Sequence, residues 1–148
     1  MSTEFDTAVR LALYQEFVTT AAAPTAAGLA ARMRCSAEEV GAALERLAAA
    51  KAIVLQPESR EVLMANPLCS VPTPFRVRAQ GRAFFGSCIW DGLGIMAMLQ
   101  TESELDTSCA CCGEAMSIQR RDGQLVAARG VIHFAVPAKR WWENIVFT

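Results

Sequence analysis

The hydrophobic positions of this chain change period partway along it. From Glu4 to Thr19, Phe5, Val9, Leu13 and Phe17, with Ala8 and Ala12 beside them, recur at the spacing of one helical face. Pro24 follows an alanine-rich break and suits the first turn of a second helix running to about Met33. Ser36 opens a third. With Glu39 it has the S-x-x-E form of a capping box, and Val40, Leu44 and Leu47 carry the apolar face to about Ala50. Beyond that point the period shortens. Ile53-Val54-Leu55 and Glu61-Val62-Leu63-Met64 flank Pro57-Glu58-Ser59-Arg60, which predicts a hairpin. Three helices and a hairpin predict a winged-helix-like module over residues 1–66.

Pro67, Pro72 and Pro74 mark the passage into a second region, residues 67–148. Phe75-Arg76-Val77-Arg78 alternates like a strand, and Arg82 to Phe85 predicts another, ended by Gly86-Ser87. A helix is expected from Cys88 to about Leu99. Short strands are expected over Leu105 to Ser108, Ala115 to Arg120, Gln124 to Ala128 and Val131 to Val136. Asp122-Gly123 is a tight-turn signal between two of them. Pro137 starts a short closing segment, Ala138 to Asn144. The expected class is α+β: a three-helix winged-helix-like module packed on a small mixed or antiparallel β-sheet domain with one or two helices.

At 148 residues and 53% hydrophobic, the chain can bury a real core, which excludes a disordered protein. The net charge of −1 gives no reason to expect nucleic acid as a partner. The third helix would be the reading helix of a winged-helix regulator. Its Glu38, Glu39 and Glu45, set against Arg46, would repel phosphate. No apolar run reaches the ~18 residues of a membrane span. The acidic start, Met1 to Asp6, lacks a basic-then-apolar leader, so a cytoplasmic, soluble protein without a membrane partner is expected.

Six cysteines are then expected as free thiols or metal ligands. Cys35 and Cys69 stand alone and suit packing. Cys88, Cys109, Cys111 and Cys112 crowd into one stretch and call for a chemical explanation. Cys88-Ile89-Trp90-Asp91 sets a thiol and a carboxylate three residues apart at a helix start, on one face and roughly 5–6 Å apart at the β-carbons. The exposed N–H groups and dipole of a helix start favour a thiolate, the form that binds a soft metal. The plainer alternatives are a small buried residue for Cys88 and a capping carboxylate for Asp91. Cys109-x-x-Cys112-Gly113 has the spacing of half a zinc knuckle, but a second C-x-x-C is absent. Cys111 lies inside the motif. Cys88 could approach it, and His133, the one histidine, could complete a ligand set or be an ordinary strand residue. Trp90 and Trp141, with Trp142, Phe84 and Phe85, could wall a pocket or simply fill the core.

These residues resemble the organomercurial (alkylmercury) lyase family. The resemblance runs from Asn66-Pro67 through Thr73-Pro74-Phe75-Arg76-Val77, then Cys88-x-x-Asp91-x-Leu93-x-Ile95, the Cys109 to Gly113 motif, and His133-Phe134-x-Val136-Pro137 with Trp141-Trp142. It implies protonolytic cleavage of a carbon–mercury bond. Thiolates hold the mercury of R–Hg⁺, Asp91 helps move a proton to the leaving carbon, and R–H departs. Hg²⁺ stays on the thiols until a cellular thiol or a reductase takes it. Carried over, Cys88 and Asp91 would be catalytic; the cysteine spacing, apart from the resemblance, makes Cys88, Cys109, Cys111 and Cys112 the candidate metal ligands. Cys109 would match a cysteine that is more structural in better-known members. No organic cofactor or resident metal is required, and a thiophilic ion, Hg as product or Zn, would sit at the cysteine cluster.

One departure stands out. The family's second catalytic cysteine precedes the His-x-Phe strand, where this chain has Ala128-Arg129-Gly130-Val131-Ile132. Cys111 or Cys112 could replace it. Alternatively, relatives sharing the Trp-Trp-x-x-Ile-Val-Phe-Thr ending continue with cysteine or selenocysteine, and a selenocysteine codon read as a stop would give a terminus at Thr148. The nucleotides after that codon decide the point, because an ordinary stop before unrelated sequence excludes it. Two other classes compete with the enzyme: a non-catalytic thiol protein that binds Hg, Zn or Cu, and a metal-responsive winged-helix regulator.

Overall fold

The structure, a computed structural model, describes residues 3–145, and the chain divides between Val71 and Pro72 into two compact units. The first contains helices α1 (Glu4–Thr20), α2 (Ala26–Met33) and α3 (Ala37–Ala49), then strands β1 (Val54–Leu55), β2 (Val62–Ala65) and β3 (Leu68–Cys69). Each helix begins where its sequence supplies a cap. Thr3 and Asp6 form a capping box on α1, and Ser36 and Glu39 form the expected one on α3. Thr25 caps α2, so Pro24 lies before the helix and not in its first turn. Val9, Leu13, Phe17, Leu29, Val40, Leu44 and Leu47 are buried and form the helical core. β1, β2 and β3 pair antiparallel in sequence order. The β2–β3 turn holds a cis Asn66–Pro67 bond, and the Asn66 carbonyl accepts a hydrogen bond from the Tyr14 hydroxyl at 2.7 Å.

Asp6 is a charged residue inside this unit, 1% exposed, and pairs with Arg46 at 2.7 Å. The Arg46 guanidinium, and then the Thr3 N–H, hold its carboxyl well below the ordinary 3.8. A lowered carboxyl pKa stabilises the fold fully above the unfolded-state value, and the contribution drains away as pH falls below it. Asp6→Asn is therefore expected to lower the urea midpoint at neutral pH. The gap to wild type should narrow in acid below about pH 4. Urea titrations at both conditions check it.

The second unit holds β4 (Phe75–Ala79), β5 (Arg82–Gly86), α4 (Ile89–Leu99), β6 (Ser103–Ser108), β7 (Ala115–Arg121), β8 (Gln124–Val126) and a 3₁₀ segment, Ala138–Glu143. Its strands run in the order β5-β4-β6-β7-β8, every neighbouring pair antiparallel. Register aligns Phe84 with Val77, Val77 with Leu105, and Leu105 with Ile118, a buried row across one face. Helix α4 adds buried Ile95 and Met96 to the core and packs on β4, β5 and β6. On the alternate residues of β4 and β6, Arg76 pairs with Asp106 and Arg78 with Glu104 and Asp106. The class is thus α+β with antiparallel pairing, as expected.

The expected strand at Val131 to Val136 is absent, and β8 ends at Val126, not Ala128. Ala127 and Gly130 both take positive φ, which turns the chain away from the ladder, and Val131 is 92% exposed. An apolar run raises strand propensity but cannot supply a pairing partner. No helix among the described residues is long and apolar enough to cross a membrane.

Candidate functional site

Cys88 is the N-cap of α4, in extended conformation, directly after β5 and the Gly86-Ser87 break. Asp91 is the third residue of the helix. Its carboxylate reaches back over the helix start, accepting the Ser87 N–H at 3.1 Å and drawing on the Cys88 N–H and the Cys88 thiol. The capping carboxylate and the thiol partner are therefore the same group. Both side chains are half-buried. Burial is the main influence on each. It pushes the Asp91 carboxyl above its ordinary 3.8 against the Ser87 and Cys88 donors that pull it down.

The Cys88 thiol moves up as well, above its ordinary 9.0. The Trp90 and Asp91 N–H groups face the sulfur and pull its pKa down, but it makes no capping hydrogen bond, and burial outweighs them. This corrects the expectation of a resting thiolate. The helix start does favour the anion, but desolvation costs it more. At neutral pH the sulfur carries its proton, next to a carboxyl able to receive it.

Two glycines make this geometry possible; the sequence pattern marks Gly86 only as the end of a strand and does not mark Gly92. A Cβ on Gly86 would lie 2.7 Å from the Gly92 nitrogen and 2.8 Å from the Asp91 Cβ. A Cβ on Gly92 would lie 2.8 Å from both Leu105 methyl carbons. The helix start thus rests directly on the end of β5 and on the β6 core. Because the obstacle at Gly86 is backbone, Gly86→Ala is expected to cost about 1–3 kcal/mol of stability. It should also displace Asp91 from Cys88. Thermal unfolding, with the site's activity, checks both.

The other expected site residues fall elsewhere. Among the described residues, no three His, Cys, Asp or Glu side chains gather where they would hold a metal ion. Cys88, Cys109, Cys111 and Cys112 therefore do not make one four-thiol centre here. Cys109, half-buried, and Cys111 and Cys112, both exposed, occupy the turn between β6 and β7. His133 is exposed on irregular chain, not on a strand, and joins no ligand group. Cys69 is buried in β3, as expected of a packing residue, and Cys35 is half-buried. Phe84 belongs to the core.

Trp90 is 58% exposed beside Cys88. Its ring meets Phe134 edge-on with centroids 6.4 Å apart, and Phe134 lies 5.0 Å from Trp141. Trp141 donates its indole N–H to the Val136 carbonyl at 2.8 Å. This aromatic chain holds the irregular segment against the start of α4. Phe134 is the residue that makes the link, and its signal was a single large ring in an otherwise exposed run. A shallow depression lined by Arg78, Arg82, Glu102 and Arg121 lies where β5 begins, at the far end of that strand from Cys88.

A thiol paired with a carboxyl on a helix that rests on an antiparallel sheet defines an α+β protein with a thiol–acid site. A family profile described as alkylmercury lyase matches residues 68–148, and the chain belongs to that family. Among solved structures, the crystal structure of the mercury-bound form of MerB2 matches with a TM-score of 0.65 at 22% identity, covering 80% of this chain and 58% of that one. That likeness establishes a shared fold, and this chain spans less than two thirds of the length of that protein. No curated protein sequence matches the chain.

Proposed function

We propose that this protein cleaves the carbon–mercury bond of organomercurials by protonolysis, with Cys88 as the mercury-binding thiol and Asp91 as the proton carrier. One observation carries the reading: the Cys88 thiol faces the Asp91 carboxylate in a half-buried site. R–Hg⁺ binds the Cys88 sulfur, and the thiol proton passes to Asp91. A second thiol joins the mercury as its thiolate, releasing its own proton to solvent, and weakens the bond to carbon. Asp91 then delivers its proton to that carbon, whose electron pair forms the new C–H bond. R–H leaves, and mercury stays Hg(II) throughout, so the step itself requires no redox cofactor. The raised carboxyl pKa suits this role, since a carboxylate of higher proton affinity takes the Cys88 proton more readily and keeps it until the carbon accepts it.

Among the described residues no group of three ligating side chains that could hold a metal ion forms at Cys88, and we assign the second sulfur to a soluble thiol, which also carries Hg²⁺ away. Benzene release from a phenylmercury salt, followed by gas chromatography, tests the reading. Hydrocarbon should appear over the thiol-only control, at a rate that rises with monothiol concentration. No release above that control overturns the proposal. Binding of Hg²⁺ without release would favour a non-catalytic thiol protein instead.

Regulation of DNA is the weaker reading. On α3, Arg46 is committed to Asp6, Glu39 to its cap and Glu45 to Arg60, so the exposed face offers phosphate acidic side chains and no uncommitted arginine of the helix.

A further inference from the structure

We propose that Cys109 and Cys112 form a second soft-metal site, a dithiol clamp in the β6–β7 turn that takes one two-coordinate thiophilic ion independently of Cys88. β6 and β7 pair as far as Ser108 and Ala115. The turn beyond is closed twice: Cys109 donates its N–H to the Glu114 carbonyl at 2.8 Å, and Gly113 donates its N–H to the Cys109 carbonyl at 2.8 Å. The second bond winds residues 109–113 into a single helical turn, ended by Gly113 at φ +73°. In such a turn, residues three apart share a side and residues two apart do not. That pairs Cys109 with Cys112 and leaves Cys111 out.

The local contacts agree. The N–H groups of Cys112 and Cys111 and the Cys112 thiol all face the Cys109 sulfur. Cys112 is exposed, so an ion reaches the pair from solvent. Loading is balanced by the release of two thiol protons for each Hg²⁺ bound, with no change of oxidation state.

The site also discriminates among metals. Structural zinc needs four ligands. Among the described residues no third ligating side chain joins this pair. Two thiolates alone suit Hg²⁺ or Cu⁺, soft ions content with two sulfurs, and do not suit Zn²⁺.

The test uses the full chain carrying Cys88→Ser, so its outcome does not depend on turnover at the other site. Hg²⁺ is added with a large excess of a monothiol, and retained metal is counted by native mass spectrometry. A chelating pair resists exchange that strips a single thiol, because the second sulfur acts at a high effective concentration. One Hg²⁺ per chain should be retained. Adding Cys112→Ser should weaken retention by about 10²-fold or more, and Cys109→Ser should do the same. Cys111→Ser and Cys35→Ser should leave it unchanged. Retention that survives Cys112→Ser, or that is lost with Cys111→Ser, overturns the assignment. Stoichiometric Zn²⁺ held under the same conditions overturns the two-coordinate site. Cys112 is exposed, so its variant tests the clamp without disturbing the fold.

Discussion

Serine at position 88 is expected to end hydrocarbon release from phenylmercury, with a loss on the order of 10³-fold or more that leaves only the background set by the assay thiol. Serine keeps the shape of the side chain and its place at the start of α4, but its oxygen is a hard ligand with no affinity for mercury comparable to sulfur. The fold should survive, since the side chain is only half-buried and makes no capping hydrogen bond. A midpoint shift within about 1 kcal/mol is expected, as for a modest change at such a position. Turnover that persists in this variant would remove Cys88 from the mechanism. The pH dependence adds a second check. Burial raises the Cys88 thiol above 9.0, so binding of R–Hg⁺ must displace a proton across the whole neutral range. The mercury-binding rate should therefore keep rising with pH past the point where an ordinary cysteine levels off. Stopped-flow binding of a mercurial across the alkaline range reads this directly.

What could be foreseen from the chain was what short-range chemistry controls. The Ser36–Glu39 capping box, the Asp122-Gly123 turn between β7 and β8, and the Cys88-x-x-Asp91 face are each set by residues within a turn of one another. What escaped depends on partners far along the chain. Asp6 looks like a surface acid until Arg46, forty residues later, closes on it. Gly86 and Gly92 look like breaks and weak helix formers until α4 is set against Leu105. Val131 to Val136 has the composition of a strand, but pairing is decided by the neighbouring strand, and β8 ends before it. The cysteines show the same limit. Spacing sets Cys109 and Cys112 in one turn, but it cannot show whether Cys88 lies nearby, and the described residues contain no group of three ligating side chains.

Asp91→Asn is expected to lower protonolysis by about 10²–10⁴-fold, the usual contribution of a positioned proton donor, without lowering thermal stability. The two readings of Asp91 separate here. If its role were capping alone, the amide oxygen of asparagine would still accept the Ser87 and Cys88 N–H groups, and activity would stay near wild type. If it carries the proton, asparagine keeps the geometry and loses the chemistry. The stability side follows from linkage. Burial raises the Asp91 carboxyl above 3.8, so the folded state prefers the protonated form and bears a cost when the group is ionised. That cost is full above the raised value and disappears as pH falls toward 3.8. At neutral pH, asparagine removes it, so the melting temperature of the variant should equal or exceed that of wild type. The same shift governs the rate. Asp91 must be ionised to receive the Cys88 proton, so kcat/KM for wild type should fall in acid, with a midpoint above the ordinary 3.8. That limb should be missing from the residual rate of Asp91→Asn. A variant that loses stability but keeps its rate and its acid limb would return Asp91 to a purely capping role and leave Cys88 as a metal ligand without a proton donor.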